Sequence, residues 1–391
     1  MPLTKQEHLD RTRTPKRILA LDGGGIRGIL TIGYLSAIEK ELGKRSGLGD
    51  KFRLCDYFDL IGGTSTGSII AAGLACGMSV AELRELYRNI GASIFKGDGF
   101  FWRNGILAAK FPPEPLQQAL DLKLGADTTL NSDRICTGLM IMTKRIDTGS
   151  PWPLHNHPEG RYYGQDGMLH LTKVVRASTA APTYFEPEQI DITSRTGAVV
   201  HGAFVDGGVS PFNDPALQLL VLAALEGHGF KWQTGKDKLL LISIGTGTYK
   251  ETFTTGQLLR MPSAEQGIKT LQALMDDCAR TNHCMLQWLT NCLTPWTIDR
   301  AVADMKLDSQ NGPQLATYVR YNVLLDSAWL KDTLGITHDP NEVAKIAEMD
   351  NPSNMDELEN IGKAAAAKQI NAADHFPEAF DILRSPAATP Q

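Results

Sequence analysis

The sequence predicts an α/β fold, a mostly parallel central sheet flanked by helices. Three observations point to it. The apolar run over residues 18–21 passes through the cluster Asp22-Gly23-Gly24-Gly25-Ile26-Arg27-Gly28 into a helix-like segment that starts at Ile29. A second apolar run, residues 57–61, passes through Gly62-Gly63-Thr64-Ser65-Thr66-Gly67 into residues 68–75, which are small, apolar and helix-compatible. Strand, tight turn and helix therefore follow one another twice, as parallel strands joined by helices require. The third observation is the run Leu239-Leu240-Leu241-Ile242-Ser243-Ile244, apolar on both faces, which belongs in the middle of a sheet.

The remaining elements follow in order. Residues 1–16 are polar and basic, with Lys5, Arg11, Arg13 and Lys16, and read as a tail. Residues 44–50 read as a loop and 80–94 as a helix. From 95 to 111 the period is lost: Phe100, Phe101, Trp102 and Phe111 stand among Gly97, Gly99 and Gly105. Such a segment is either an aromatic loop that dips into lipid or a cover over the edge of the core. Residues 112–124 return to helix and 135–142 to strand. The Pro, His, Tyr and Gly content of 150–165 predicts a loop, and His155-x-His157, with no carboxylate or thiol cluster beside it, reads as solvated rather than as a metal site.

Residues 171–180 predict a helix stopped by Pro182, 197–205 a strand that delivers Asp206-Gly207-Gly208 at its end, and 214–226 a helix closed by Gly227. Residues 264–289 carry an apolar stripe (Ile268, Leu271, Leu274, Met275, Cys278, Met285, Leu286, Leu289), which predicts a long core-facing helix. A lipid-binding helix would have a more basic polar face. A strand over 317–325, an alanine-rich helix over 356–373 and a frayed, Pro-containing end close the chain. The expected organisation is a main domain over 17–250, a mainly helical elaboration over 251–376 packed on it, and a flexible tail over 377–391.

With 391 residues, 42% of them hydrophobic, the chain has ample material for a core. A formal net charge of −5 gives no electrostatic case for a nucleic-acid partner. No apolar run reaches the ~18 residues of a membrane span, and the polar N-terminus has no apolar leader segment, so a cytoplasmic location is expected. The six cysteines form no C-x-x-C pair, which argues against zinc and for buried free thiols. No metal and no organic cofactor are expected.

Chemistry concentrates at three points. Gly63-Thr64-Ser65-Thr66-Gly67 matches G-x-S-x-G where that pattern has meaning, on a strand-to-helix turn that pushes the serine hydroxyl out of the sheet. The plain alternative is a glycine-rich turn with an incidental serine. A serine nucleophile needs a base, yet none of the nine histidines stands just beyond a predicted central strand. Asp206 does, with Gly207 and Gly208 opening the backbone around it. If its strand neighbours that of Ser65, the two side chains come within ~3 Å, and partial burial would raise the carboxylate toward the basicity the task needs. The third point is the Gly23–Gly25 cluster, whose N–H groups converge at a helix N-terminus and suit an anion.

Taken together, these motifs resemble the patatin-like phospholipase family. Asp22 to Gly28 is similar to its oxyanion-hole motif, Gly63 to Gly67 to its nucleophile elbow, Asp206-Gly207-Gly208 to its aspartate motif, and Ala177 to Phe185 to the segment before that aspartate. The likeness covers about residues 17–247. It implies a three-layer α/β fold and a lipid acyl hydrolase working without a metal. It also implies Ser65 as nucleophile, Asp206 as the single base of a dyad and the amides of Gly23, Gly24 and Gly25 as the oxyanion hole. Arg27 would help to hold that loop, and Gly63, Gly67 and Gly207 would support the turns. The implied substrate is membrane phospholipid or another acyl lipid, met at a membrane surface.

Two other readings stand beside this one. Gly23-x-Gly25-x-x-Gly28 also fits a dinucleotide fingerprint, but that fingerprint expects an acidic residue closing the second strand, where this chain has the serine turn. The family resemblance also admits a ligand-activated phospholipase effector of bacterial defence, although nothing in residues 248–391 identifies a ligand site.

Overall fold

The fold is described from a computed structural model, which describes residues 2–94, 102–103, 106–107, 111–182, 184–193 and 196–382. The main sheet has nine strands: β1 (Lys16–Leu21), β2 (Leu60–Thr64), β5 (Gly138–Arg145), β6 (Ser150–His155), β7 (Glu188–Thr193), β8 (Val199–Asp206), β9 (Leu239–Ile244), β10 (Asn291–Cys292) and β11 (Thr317–Tyr321). Two further strands, β3 (Trp102–Arg103) and β4 (Ile106–Leu107), pair only with each other. The order across the sheet is β10-β11-β9-β1-β2-β5-β8-β7, with β6 against β5. From β10 to β5 every pairing is parallel; β6, β7 and β8 add antiparallel ones.

Alternation along the parallel strands builds a core on each face. Leu19, Leu21, Ile61, Leu139, Ile141, Leu240 and Ile242 point to one face, where the helices Gly28–Ser46, Thr66–Ala75 and Met355–Gln369 pack. Ile18, Ala20, Leu60, Met140, Met142, Leu239 and Leu241 point to the other, covered by the helix Ala216–Ala224. The result is three layers, as expected. β9 lies between β1 and β11, buried along its whole length.

Several local expectations change. β2 begins at Leu60 and runs on through Gly62 and Gly63, which the sequence reading placed after the strand. These glycines are strand residues because their neighbours leave no room: a Cβ on Gly62 would lie 2.6 Å from Leu219 Cδ2. Residues 150–155, expected as loop, form β6; Pro151 and Pro153 are tolerated because β6 is hydrogen-bonded on one side only. β7 was not anticipated at all. The N-terminal tail contains a capped turn of helix, Lys5–Leu9, tethered by His8 Nδ1 to Asp59 Oδ1 at 2.9 Å. Of the aromatic segment, Phe111 is buried and stacked on Tyr184, so it covers core; Phe100 and Phe101 lie outside the described residues.

The largest correction concerns the long helix, Ser263–Leu289. Its C-terminal end is anchored through Leu286 on the second core, but Leu274 is 57% exposed and Met285 38%, so the stripe does not face core throughout. Periodicity shows that a helix has an apolar side, not what covers it.

Candidate active site

Ser65 sits between the end of β2 and the N-terminus of the helix Thr66–Ala75 with φ 52° and ψ −124°. A non-glycine residue there is strained by ~1–3 kcal/mol, and the surroundings hold it in place. The Ser65 N–H donates to Ser178 Oγ at 2.9 Å, while Ser178 donates to Met142 O at 2.6 Å. The Ser68 amide donates to Ser65 O at 2.8 Å. The motif's flanking glycines are obligatory: a Cβ on Gly63 would stand 2.1 Å from Gly67 O, and one on Gly67 2.2 Å from Leu21 O.

Asp206 reaches Ser65 by a route the sequence does not reveal. β2 and β8 are not paired with each other. β2 pairs with β5 over residues 138–142, with Thr64 opposite Met142; β8 pairs with β5 over 143–145, with Asp206 opposite Thr143. Since β6 occupies the other edge of β5 over the same residues, β2 and β8 share one edge. They approach from opposite directions, so their C-terminal ends meet head-on. Ser65 and Asp206 are thus delivered to adjacent positions on β5, near enough for the Ser65 side chain to draw the Asp206 pKa downward. Gly207 makes the junction possible, because a Cβ there would lie 2.3 Å from Met142 O.

The Asp206 carboxylate is 5% exposed, and its Oδ1 accepts from Gly208 N at 2.7 Å. Burial pushes it up to about 6, against the opposing pull of Ser65 and of the Gly208 hydrogen bond. A carboxylate so placed can take a proton from Ser65 Oγ at neutral pH. If it does, kcat/KM for ester hydrolysis falls about tenfold per pH unit below a midpoint near 6 and is level just above it. A pH–rate profile of the purified protein with a non-ionising ester checks this.

The glycine loop lies against Ser65: a Cβ on Gly23 would be 3.1 Å from Ser65 Cβ. Its three amides are not equivalent. Gly23 N–H already donates to Asn213 O at 3.1 Å, so it is not free to receive an oxyanion. Gly24 and Gly25 N–H have no protein acceptor among the described residues. Of the three amides that the resemblance implies, one is thus already engaged. Gly25 has φ +59° and lies against Met349 O, which favours glycine there.

Arg27 lies among Asp276, Tyr87 and Asp22, whose charges oppose the burial that pushes its guanidinium down to about 10, and its Nε is buried without a hydrogen-bond partner among the described residues. The loop's hydrogen bonds come from Thr246 Oγ1, donating to Gly23 O at 2.8 Å, and from Tyr87, whose hydroxyl joins Gly25 O to Thr66 Oγ1.

Asp22 anchors the loop from below. Arg320, on β11, binds it bidentately at 2.7 and 2.5 Å and also touches Asp214 at 3.2 Å. Burial pushes the Asp22 carboxyl upward, Arg320 pulls it back, and Asp214 adds to the rise. A charged residue inside the otherwise apolar strand Thr317-Tyr318-Val319-Arg320-Tyr321 was the available signal for this partner. Ser178, Tyr87 and Asn213 carried none.

Above the dyad lies the long helix: a Cβ on Gly208 would be 3.4 Å from Met275 Cε. Asn282 donates to Pro211 O, tying the same helix to the loop after Asp206.

A family model described as patatin-like phospholipase matches residues 19–220, which hold the glycine loop, the elbow and the Asp206 turn. The chain belongs to the patatin-like phospholipase family. Among patatin-like relatives, a cGAMP-activated phospholipase of Vibrio cholerae is 36% identical over 52% of this chain and 56% of its own length. A cGAMP-activated phospholipase of Escherichia coli is 34% identical over 52% of this chain and 55% of its own. Patatin group J-1 of Solanum tuberosum is 30% identical over 76% of this chain and 83% of its own length. The chain thus spans about half the length of the two bacterial relatives. In this patatin-like chain the second strand ends in the serine elbow, with no acidic residue where a dinucleotide fingerprint needs one.

Proposed function

We propose that the chain is a lipid acyl hydrolase of phospholipase A type acting through a covalent acyl-enzyme. The observation that carries this reading is the meeting of Ser65, on its strained turn, with the buried Asp206 carboxyl where β2 and β8 end at consecutive residues of β5. Asp206 takes the Ser65 proton as Oγ attacks a fatty-acyl ester carbonyl, and the Gly24 and Gly25 amides receive the oxyanion. The alcohol or lysolipid leaves with the proton; water, deprotonated by Asp206, then releases the fatty acid. Mass spectrometry of bacterial lipid extracts before and after incubation with the protein identifies the ester class cleaved. An arm with cGAMP tests a second reading, that hydrolysis is ligand-activated, which the names of the two bacterial relatives favour.

We also propose a cytoplasmic enzyme that meets its substrate at a membrane surface. The short helix Thr255–Arg260 exposes Leu258 (39%) and Leu259 (81%), and the long helix exposes Leu274 (57%) next to Met275, which lies against Gly208. Over residues 250–281 the basic residues Lys250, Arg260, Lys269 and Arg280 are matched in number by Glu251, Glu265, Asp276 and Asp277. Attachment would then rest on apolar insertion, not on attraction to anionic lipid. Leu258→Asp/Leu259→Asp should lower hydrolysis of phosphatidylcholine vesicles about tenfold or more, leave hydrolysis of a short soluble ester unchanged, and wild-type vesicle activity should vary little with salt. Equal loss on both substrates would place these leucines in the fold instead.

A further inference from the structure

Away from the dyad, three cysteines gather where β2, β5 and the elbow helix begin or end. Cys55 lies in the turn before β2, Cys76 caps the elbow helix, and Cys136 precedes β5. All are free thiols, Cys55 buried and Cys136 exposed. The sequence reading expected buried free thiols; Cys55 is buried, Cys76, Cys278, Cys284 and Cys292 are partly buried, and Cys136 is exposed. Its position is fixed by backbone: Cys136 N donates to Ala75 O at 2.7 Å, Thr137 Oγ1 to Phe58 O at 2.6 Å, and Gly138 N to Asp59 O at 3.1 Å. These bonds lay the 136–138 segment along the 55–59 turn, near enough for the two thiols to shift each other's titration; the Cys136 sulfur also lies 3.7 Å from Arg134 O. A Cβ on Gly77 would come 3.8 Å from Cys136 Sγ, so Cys76 is also close by.

We propose that Cys136 and Cys55 form a hydroperoxide-reactive pair, Cys136 as the attacking thiol and Cys55 as the resolving one. The division of labour follows from their surroundings. The neighbouring Cys55 thiol favours the thiolate at Cys136 and pushes Cys136 down to about 7; burial and Asp56 oppose this and Lys5 assists. Cys55 is pushed upward by Cys136, by burial and by Asp56, so it keeps its proton until needed. A low-lying, exposed thiolate is what peroxide attack requires.

The chemistry balances with a hydroperoxide ROOH as the oxidant. Cys136 thiolate attacks the terminal peroxide oxygen, the O–O bond breaks, and RO⁻ leaves to be protonated as ROH, with Cys136 now a sulfenic acid. Cys55 sulfur then attacks Cys136 sulfur, the S–O bond breaks, and hydroxide leaves as water with the Cys55 proton. Two thiols are oxidised by two electrons and the peroxide is reduced by two. The two sulfurs must close to a bond of ~2.05 Å.

The test is to treat the whole protein with one equivalent of hydrogen peroxide and digest it without reduction. The expected product has lost 2 Da by conversion of two S–H groups to one S–S bond, and joins the tryptic peptide 54–84 to 135–144. Cleavage after Tyr57 and Phe58 with chymotrypsin separates Cys55 from Cys76 in the wild type, so the partner is identified without any variant. The link should persist in Cys76→Ser. In Cys55→Ala it should vanish and leave Cys136 trapped by dimedone. Before oxidation, iodoacetamide at pH 7 should label Cys136 about tenfold faster than the other cysteines. Absence of the 2-Da product, or a link running through Cys76 instead of Cys55, overturns the proposal.

Discussion

Ser65→Ala should lower ester hydrolysis at least ~1,000-fold while leaving the protein folded. Nothing else in the site can replace the hydroxyl: Ser178 Oγ is committed to Met142 O and Ser68 Oγ to Ser65 O. Asp206→Asn should cost a comparable factor, because an amide keeps the shape and the Gly208 contact region but cannot accept the proton. Stability separates these roles from structural ones. Ser65 holds φ 52°, and an alanine there keeps the Cβ that makes this conformation strained. Ser65→Ala should therefore unfold close to wild type, and Ser65→Gly, freed of the strain, should be more stable by ~1 kcal/mol. Kinetics on a soluble ester and thermal denaturation of the same preparations read both effects. Substantial hydrolysis by pure Ser65→Ala would require a different nucleophile.

Arg320→Met should destabilise the fold by ~3–5 kcal/mol. The cost comes from what is left behind: Asp22 and Asp214, 7% and 2% exposed, would face each other with no cation between them. Arg320→Lys should recover only part of the loss, since an ammonium cannot reproduce the two parallel contacts to Asp22. Because Asp22 begins the glycine loop, hydrolysis by any folded Arg320→Met should fall as well. Chemical denaturation gives the stability, and a Met variant within ~1 kcal/mol of wild type would mean that the triad holds little. The loop that faces Ser65 is in this way secured by a residue from the last third of the chain.

Much of this molecule is written locally. The apolar runs that became β1, β5, β9 and β11 announce themselves because a doubly covered strand must be apolar on both faces. The serine turn is legible for a steric cause: Gly63 and Gly67 stand where any side chain would strike backbone, so the spacing of the motif is the spacing of the contacts. The aspartate at a strand end and the glycine loop are legible on the same grounds. β6 was hidden by its prolines, and β7, an edge strand with alternating exposure, offered only a weak pattern.

What the sequence alone determined, then, is the α/β class, the parallel strands and the three motifs, since each depends on residues within a few positions of one another. Tertiary structure decided how the motifs meet. Ser65 and Asp206 become neighbours because β2 and β8 share one edge of β5 and end at consecutive residues of it. The Gly23 amide is engaged by Asn213 O, and Asp22 is held by Arg320 from 298 positions away. The apolar stripe of the long helix faces the dyad and solvent as well as core. Hydrogen bonds and burial between distant segments depend on which surfaces the folded chain brings together, and periodicity within one segment carries no record of its partner.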